Sequence, residues 1–437
     1  MTLRSLNERI SLMKQDDRPV VLFAAPYFAP AYHGGVVQVY LGLLTRTTKF
    51  RFVLVADYSG VGHDVADAWD QEMRSRYGIT VERINSFEFH LSRHRGSLVK
   101  PAMAIVELAR FFSEGRRQWK ALVQTYKPAV IVCGGTYSAG WLMPCNHRDA
   151  CLVNYVHGEE LTMQVKPLFL QPWMRAWQRR CLRDARLNIA VSTYTAEMIG
   201  KLTPASPDRT VVLPNFIDQT RFHPSPQREH LRCQNGWSDK TILLTVARLD
   251  RRKGIDQALR ALALLVQRGE ALPSWRYVIG GRGAEREELQ ALTRDLGLTQ
   301  SVSFIGFVPE EELVHLYQTA DVFLQPNREI NGDTEGFGVV FLEANACGLP
   351  VIGGIAGGTA DAIDHGQSGL RVDGDNVEDI ADAIALLMLN KDLRETYGRR
   401  GAIWASHFDV DRAASRFEDL LQQTLQQHRA AQSVSYQ

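Results

Sequence analysis

Short β-branched runs alternate with amphipathic segments almost throughout the chain, a pattern that predicts parallel sheets covered by helices on both faces. In the first half the runs predict strands at Val20 to Ala25, Phe52 to Ala56, Ala129 to Cys133, Leu152 to Val156, Leu187 to Val191 and Val211 to Leu213. In the second half they fall at Ile242 to Val246, Tyr277 to Ile279, Val302 to Ile305, Val322 to Leu324 and Pro350 to Ile352. Each set is expected to form one open sheet. Apolar positions recur at helical spacing at Ile255, Leu259, Leu262 and Val266, and again at Ala413, Phe417, Leu420 and Leu425. Between the two sets, PNFIDQTRFHPSPQREHLRCQNGWSDK breaks both periodicities and suits a linker, with a boundary near Asn215. The class is α/β, in two domains spanning 1–214 and 215–411.

Length agrees with this division, because 437 residues exceed what one hydrophobic core usually serves. Apolar residues at 45% and charged residues at 23% are ordinary for a globular protein. A net charge of +1 gives no overall bias towards nucleic acid, and none is expected as a partner. The first residues lack the apolar core of a signal peptide and no later run is long enough for a spanning helix, so a cytoplasmic protein is expected. The six cysteines have neither disulfide-framework nor zinc-site spacing, and the cluster of Cys145, His147 and Cys151 lacks a second ligand pair. No metal is expected.

An open parallel sheet binds its ligands beyond the carboxyl ends of its strands, so candidate chemistry is sought there. Arg248 and Lys253 lie between the strand Ile242 to Val246 and an amphipathic helix, where helix N–H groups already favour an anion. They suit a diphosphate, Arg248 as a planar fork and Lys253 as a compact charge; a solvated basic turn is the alternative. Further on, Glu335-Gly-Phe-Gly-Val-Val-Phe-Leu-Glu343 sets two carboxylates across a Gly-rich loop and a helix start. The N–H groups of Phe337, Gly338, Val339 and Val340 would face a phosphate, Glu343 can accept from a ribose diol and Glu335 can reach a sugar. A capping acid and a surface glutamate are the bland readings of this pair.

These residues, with PNFID (214–218), FIGFVPEEEL (304–313), ADVFLQP (320–326) and EANACGLPVIGG (343–354), resemble in order and spacing the donor-site signature of the retaining glycosyltransferases of family four. GDTEGFGVVFLEANACG (332–348) is most similar to bacterial phosphoinositol mannosyltransferases. The resemblance implies a GT-B fold, two Rossmann-like domains facing a central cleft, with segment 412–430 packing back on the first. It implies a hexosyltransferase drawing mannose or glucose from a GDP- or UDP-sugar, with a glycan or lipid-linked acceptor and no required cofactor. Arg248 and Lys253 would bind the diphosphate, Glu343 the ribose, Glu335 the transferred sugar and residues around Phe307 the base. The sequence departs from the family at Ala247, where a glycine often precedes the arginine, and at Asp361, where AGGTAD replaces the commoner GG-x-x-Glu.

In the first half, Gly34 and Gly35 precede a helix after the first strand, where backbone can face a phosphate or an acceptor hydroxyl. His157, at the end of Leu152 to Val156, is structural on its own terms; the resemblance places it beside the donor sugar, as a hydrogen-bonding or positioning group rather than a proton acceptor. Trp173, Trp177, Arg175, Arg179, Arg180 and Arg183 share a predicted helix, and Arg93, Arg95, Lys100, Arg116, Arg117 and Lys120 add charge. They suit either peripheral contact with an anionic inner membrane face or a solvated helix whose tryptophans face the core. Asp373-Gly-Asp375 and Asp409-Val-Asp411 resemble metal-dependent sugar-nucleotide motifs, but each precedes a helix and reads as an N-cap. The alternatives kept are a sugar-nucleotide epimerase and a non-catalytic sugar-nucleotide-binding protein. A dehydrogenase would need more than Gly280-Gly281-Arg282-Gly283, which lacks the full G-x-G-x-x-G.

Overall fold

In a computed structural model, residues 16–25, 28–30, 34–57, 62–84, 114–135, 149–162, 171–204 and 207–435 are described. The first sheet has seven strands: β1 (Val20–Ala24), β2 (Arg51–Ala56), β3 (Thr80–Arg83), β4 (Val130–Gly134), β5 (Cys151–Val156), β6 (Leu187–Ala190) and β7 (Thr210–Val212). The second has six: β8 (Thr241–Val246), β9 (Trp275–Gly280), β10 (Val302–Gly306), β11 (Val322–Gln325), β12 (Val351–Gly354) and β13 (Gly369–Val372). All pairings within them are parallel. The central strands are buried on both faces, which is why Val20–Ala24 and Ile242–Leu244 are unbroken apolar runs.

The eleven expected strands all form, with ends shifted by one or two residues. Two edge strands, β3 and β13, were not anticipated. Their sequences, TVER and GLRV, mix polar and apolar positions because an edge strand is only partly covered.

Strand orders β3-β2-β1-β4-β5-β6-β7 and β10-β9-β8-β11-β12-β13 both reverse beside their first strand. Each reversal leaves a crevice at the carboxyl edge, between β1 and β4 in one sheet and between β8 and β11 in the other. The loops carrying Arg248, Lys253 and Glu335 leave β8 and β11, so the fold brings them to one crevice.

The polar stretch after Asn215 is anchored to the body at several points, with exposed residues between them. Phe216, Ile217 and Phe222 are buried, and the helix Arg228–Gln234 seats Arg232 against Asp321 at 2.9 Å. The long helix Val410–Ser435 packs on the first lobe: Phe417 stacks on Phe52 and meets Tyr155, and Glu418 accepts hydrogen bonds from the Thr48 and Lys49 N–H groups, both at 2.5 Å.

No helix among the described residues is long and apolar enough to cross a membrane. Cys133, Cys151, Cys181 and Cys347 are buried free thiols and Cys233 is an exposed one; Cys145 and His147 lie outside the described residues. Arg93, Arg95 and Lys100 also lie outside them.

Candidate active site

The loop after β8 turns through a short 3-10 segment, Arg251–Lys253, into the helix Ile255–Gln267. Successive residues of such a turn point about 120° apart, and this separates three adjacent cations. Arg251 faces solvent and pairs with Glu285 and Glu288. Arg252 turns inward, donates from Nη1 to the Thr334 carbonyl at 3.0 Å, and lies 3.3 Å from Glu335 Oε2 and 3.5 Å from Asp333 Oδ2. Lys253 donates from Nζ to Glu335 Oε2 at 2.6 Å. Arg248, with its side chain 58% exposed, is aimed by Asp250 at 2.7 Å and by Glu159 of the first lobe at 3.5 Å.

Glu335 thus sits between two cations in a nearly closed space. Burial alone would raise its pKa; Lys253, Arg252 and Arg248 more than offset this and hold the carboxyl below the ordinary glutamate value. It is ionised at neutral pH. In the same two loops Asp250 Oδ1 and Thr334 Oγ1 are buried without a hydrogen-bond partner among the described residues, as befits a site that receives a polar ligand.

The Gly-rich loop explains its glycines. Gly338 is the left-handed N-cap (φ 91°) of the helix Val339–Ala346, and a Cβ there would strike the Phe341 ring. A Cβ at Gly336 would overlap the His157 carbonyl oxygen, so the loop lies directly against the end of β5. Phe337 is buried against Phe408, whereas Val339 and Val340 are half-buried on the first helical turn, where N–H groups have no partner within the helix. Glu343, one turn on, accepts from the Tyr317 hydroxyl at 2.9 Å; burial pushes its pKa up to about 7, against the pull of Tyr317 and Arg221.

Phe307 lies in the loop after β10, 58% exposed, with the Arg282 guanidinium 5.1 Å from its ring centroid. A flat aromatic face under a guanidinium is a surface on which a planar ring can stack. Arg282 comes from Gly280-Gly281-Arg282-Gly283. The glycines at 281 and 283 press against the Ala247 and Leu249 carbonyls, so they serve the packing of this loop on the β8 loop rather than a dinucleotide.

In the first lobe, His157 is buried, and its Nε2 is 2.9 Å from the Tyr40 hydroxyl. Burial presses its pKa down to about 3, so the ring is neutral at any ordinary pH and cannot switch charge. Its backbone N–H donates to Glu160, itself pushed up to about 7 by burial. Tyr40 belongs to the helix Gly35–Leu44, which Gly34 caps in exposed, extended backbone and Gly35 begins; Gln38, one turn in, reaches Glu310 of the second lobe at 3.4 Å. Further contacts close the cleft: Ser192 Oγ donates to the Gly336 carbonyl at 2.7 Å, and the Thr193 N–H donates to Asp361, the residue that departs from the family pattern.

The structure therefore brings Arg248, Lys253 and Glu335 together, with His157 against the same glycine loop, Glu343 behind it and Phe307 in the loop two strands from β8, beyond β9. The sequence reading missed Arg252, Tyr40, Glu159, Glu160, Arg282 and Tyr317. Only the HGEE run, two acids after a strand-end histidine, held a signal that could have found any of them. Asp409 accepts from the Asp411 and Arg412 N–H groups at the start of the helix Val410–Ser435, as expected of a cap, whereas Asp373 only closes a turn by accepting from the Asp375 N–H and Asn376 caps the helix Val377–Leu389 in its place; no cluster of three or more metal-ligating side chains occurs among the described residues.

Two doubly wound parallel sheets meeting at their carboxyl edges around this cluster define a GT-B protein, and comparison with known proteins identifies the family. Residues 66–221 match the model of Glycosyltransferase Family 4, and residues 227–404 that of Glycosyl transferases group 1. A GDP-mannose-dependent alpha-(1-6)-phosphatidylinositol monomannoside mannosyltransferase of Mycolicibacterium smegmatis is 34% identical over 386 residues, 86% of this chain and 91% of that protein. A D-inositol 3-phosphate glycosyltransferase of Corynebacterium jeikeium is 37% identical over 298 residues, 65% of this chain and 69% of that one. Among solved structures, Anabaena Alr3699/HepE with UDP and glucose superposes with a TM-score of 0.70 at 20% identity, covering 93% of this chain and all of that one. Sucrose-phosphate synthase from Thermosynechococcus elongatus gives 0.72 at 21% identity, covering 93% and 99%. The chain belongs to glycosyltransferase family four and is a glycosyltransferase.

Proposed function

We propose that the chain is a retaining, metal-independent hexosyltransferase that takes mannose or glucose from a GDP- or UDP-sugar and places it on a glycan or lipid-linked acceptor. The observation that carries this reading is the Arg248, Arg252 and Lys253 set around Glu335, one helix start away from Glu343. Arg248 and Lys253, with the N-terminus of Val339–Ala346, stabilise the charge that grows on the departing nucleoside diphosphate, a task a metal ion performs elsewhere. Glu335 is held ionised by Lys253 and orients the sugar hydroxyls; Glu343 takes the ribose. Phe307 and Arg282 receive the base. His157, neutral and fixed by Tyr40, positions the loop and cannot act as a proton acceptor near neutrality. The acceptor attacks from the face the leaving group vacates, which gives retention without a second catalytic carboxylate.

The activity of the Mycolicibacterium smegmatis relative supports a mannosyl donor and an inositol-lipid acceptor, that of the Corynebacterium jeikeium relative an inositol phosphate acceptor, and the UDP and glucose held by one structural neighbour support a nucleotide sugar in general. The exposed Trp173, stacked on Trp177 on a helix with Arg179, Arg180 and Arg183, supports a peripheral seat on an anionic inner membrane face. Incubation with GDP-mannose or UDP-glucose, with and without a phosphoinositol acceptor and with EDTA, tests the reading. Acceptor-dependent product of retained anomeric configuration in EDTA supports it. Turnover without acceptor would indicate an epimerase, and binding without turnover a binding protein.

A further inference from the structure

The second lobe carries another concavity, of about 480 Å³, within the range of small-molecule sites. It opens at the amino edge of the sheet, where Asp321 and Pro350 lead into β11 and β12, and so lies opposite the donor crevice. Its walls are Pro224 and Arg228 of the polar stretch after Asn215, the end of the helix Glu310–Thr319, the turn after Ala346 and one face of the helix Lys391–Ala405. Gly398 lets that last helix approach, since a Cβ there would overlap the Gly348 carbonyl.

The lining is unbalanced in charge. Four cations, Arg228, Lys391, Arg394 and Arg399, face two carboxylates, Asp321 and Glu395, an excess of two positive charges in a chain whose net charge is +1. Asp321 is already shared by Arg228 at 2.8 Å and Arg232 at 2.9 Å, and Glu395 by Lys391 at 3.8 Å and Arg399 at 4.0 Å. Glu229 meets Arg228 from the solvent side, 81% exposed. Arg394 has no carboxylate in ion-pair contact among the described residues. Its Nη1 is fixed by the carbonyls of Leu387 at 2.7 Å and Met388 at 3.1 Å, so the guanidinium is held in place, half-buried and unneutralised. Burial lowers its pKa below the usual arginine value, and Arg228 and Arg232 add to this, against the pull of Asp321 and Glu395. An anion is the partner this arrangement lacks.

We propose that the pocket binds a phosphate ester of metabolite size, with Arg394 as its central cation. A phosphate monoester carries roughly two negative charges at neutral pH, the same size as the local excess, and guanidinium forks match its oxygens. Tyr317 and Leu349 give the organic part of the ester an apolar floor. The site is distinct from the donor crevice and stands whether or not the donor reading does. Tyr317 touches both, lining the pocket while its hydroxyl holds Glu343.

The test is calorimetric titration of the full chain with glucose 6-phosphate, with glucose as the uncharged control, and flotation with phosphatidylglycerol vesicles. Saturable binding of the ester and not of glucose is expected, weakened at least about tenfold by Arg394→Met. Because that change could disturb the helix, the exposed Arg399→Glu serves as a second variant and is expected to act in the same direction. Lys253→Met, in the donor crevice, should leave the affinity unchanged. Vesicle binding that depends on Arg394 and Arg399 without binding of the free ester would assign the phosphate to a lipid headgroup. Binding that is insensitive to both pocket variants, or lost in Lys253→Met, or absent with ester and vesicles alike, would overturn the proposal.

Discussion

Replacing Lys253 with methionine should expose how the site holds its charge. Lys253 Nζ and Glu335 Oε2 are 2.6 Å apart, with side chains only 12% and 14% exposed. Removing one partner of a buried pair costs about 3–5 kcal/mol, because the other charge is left without compensation. Here Arg252 remains 3.3 Å from the same carboxylate oxygen, so the loss should be smaller, about 2–3 kcal/mol at neutral pH. The sign of the pH dependence follows from Glu335. With a folded pKa below its unfolded value, it stabilises the native state above the unfolded pKa, and that contribution disappears as pH falls through the folded pKa. In the variant, burial, the largest influence on Glu335, meets less opposition and its pKa rises, so the gap between wild type and variant should shrink steadily on acidification. Urea unfolding followed by tryptophan fluorescence, at neutral and at acid pH, measures both effects. The double variant Lys253→Met/Glu335→Gln should regain most of the loss by removing the stranded charge. A single variant as stable as wild type, or a double variant no better than the single, would refute this reasoning.

Glu343, with a folded pKa of about 7, should make donor affinity rise with pH through that value, and Glu343→Gln should flatten the titration measured between pH 6 and 8. Because its folded pKa is raised, Glu343 costs stability as pH climbs from the unfolded value towards and past 7, so the Gln variant should gain most in melting temperature at the alkaline end. Gly336→Ala places a Cβ on the His157 carbonyl and should cut turnover by about 100-fold by forcing the lobes apart, measurable with saturating donor. Phe307→Ala and Arg282→Ala should each weaken nucleotide binding by roughly 2- to 30-fold by calorimetry, the range of a stacking or cation–π contact.

What the sequence made legible follows from burial. Strands enclosed on both faces, such as β1 and β8, are continuous apolar runs, whereas β3 and β13 at sheet edges carry Thr, Glu, Arg and Gly and offer no such run. The motifs around the second-lobe crevice were visible because loops leaving neighbouring strands must converge at the carboxyl edge. Their inner wiring was not. Nothing in Arg251-Arg252-Lys253 tells which cation turns inward, since that depends on the phase of the 3-10 turn. Tyr40 and Tyr317 are hidden for another reason: each is a helical aromatic among apolar neighbours, and only the packing shows that its hydroxyl reaches His157 or Glu343. Glu159 escaped because its partner, Arg248, lies on the other lobe.

The central claim, that the second-lobe crevice binds a nucleoside diphosphate through its own cations, is tested most directly by titrating GDP and UDP into wild type and Arg248→Ala in the presence of EDTA. The account predicts that at least one nucleotide binds wild type in EDTA and that Arg248→Ala weakens it by about 10-fold or more. Binding that vanishes with EDTA, or that is indifferent to Arg248, would contradict it.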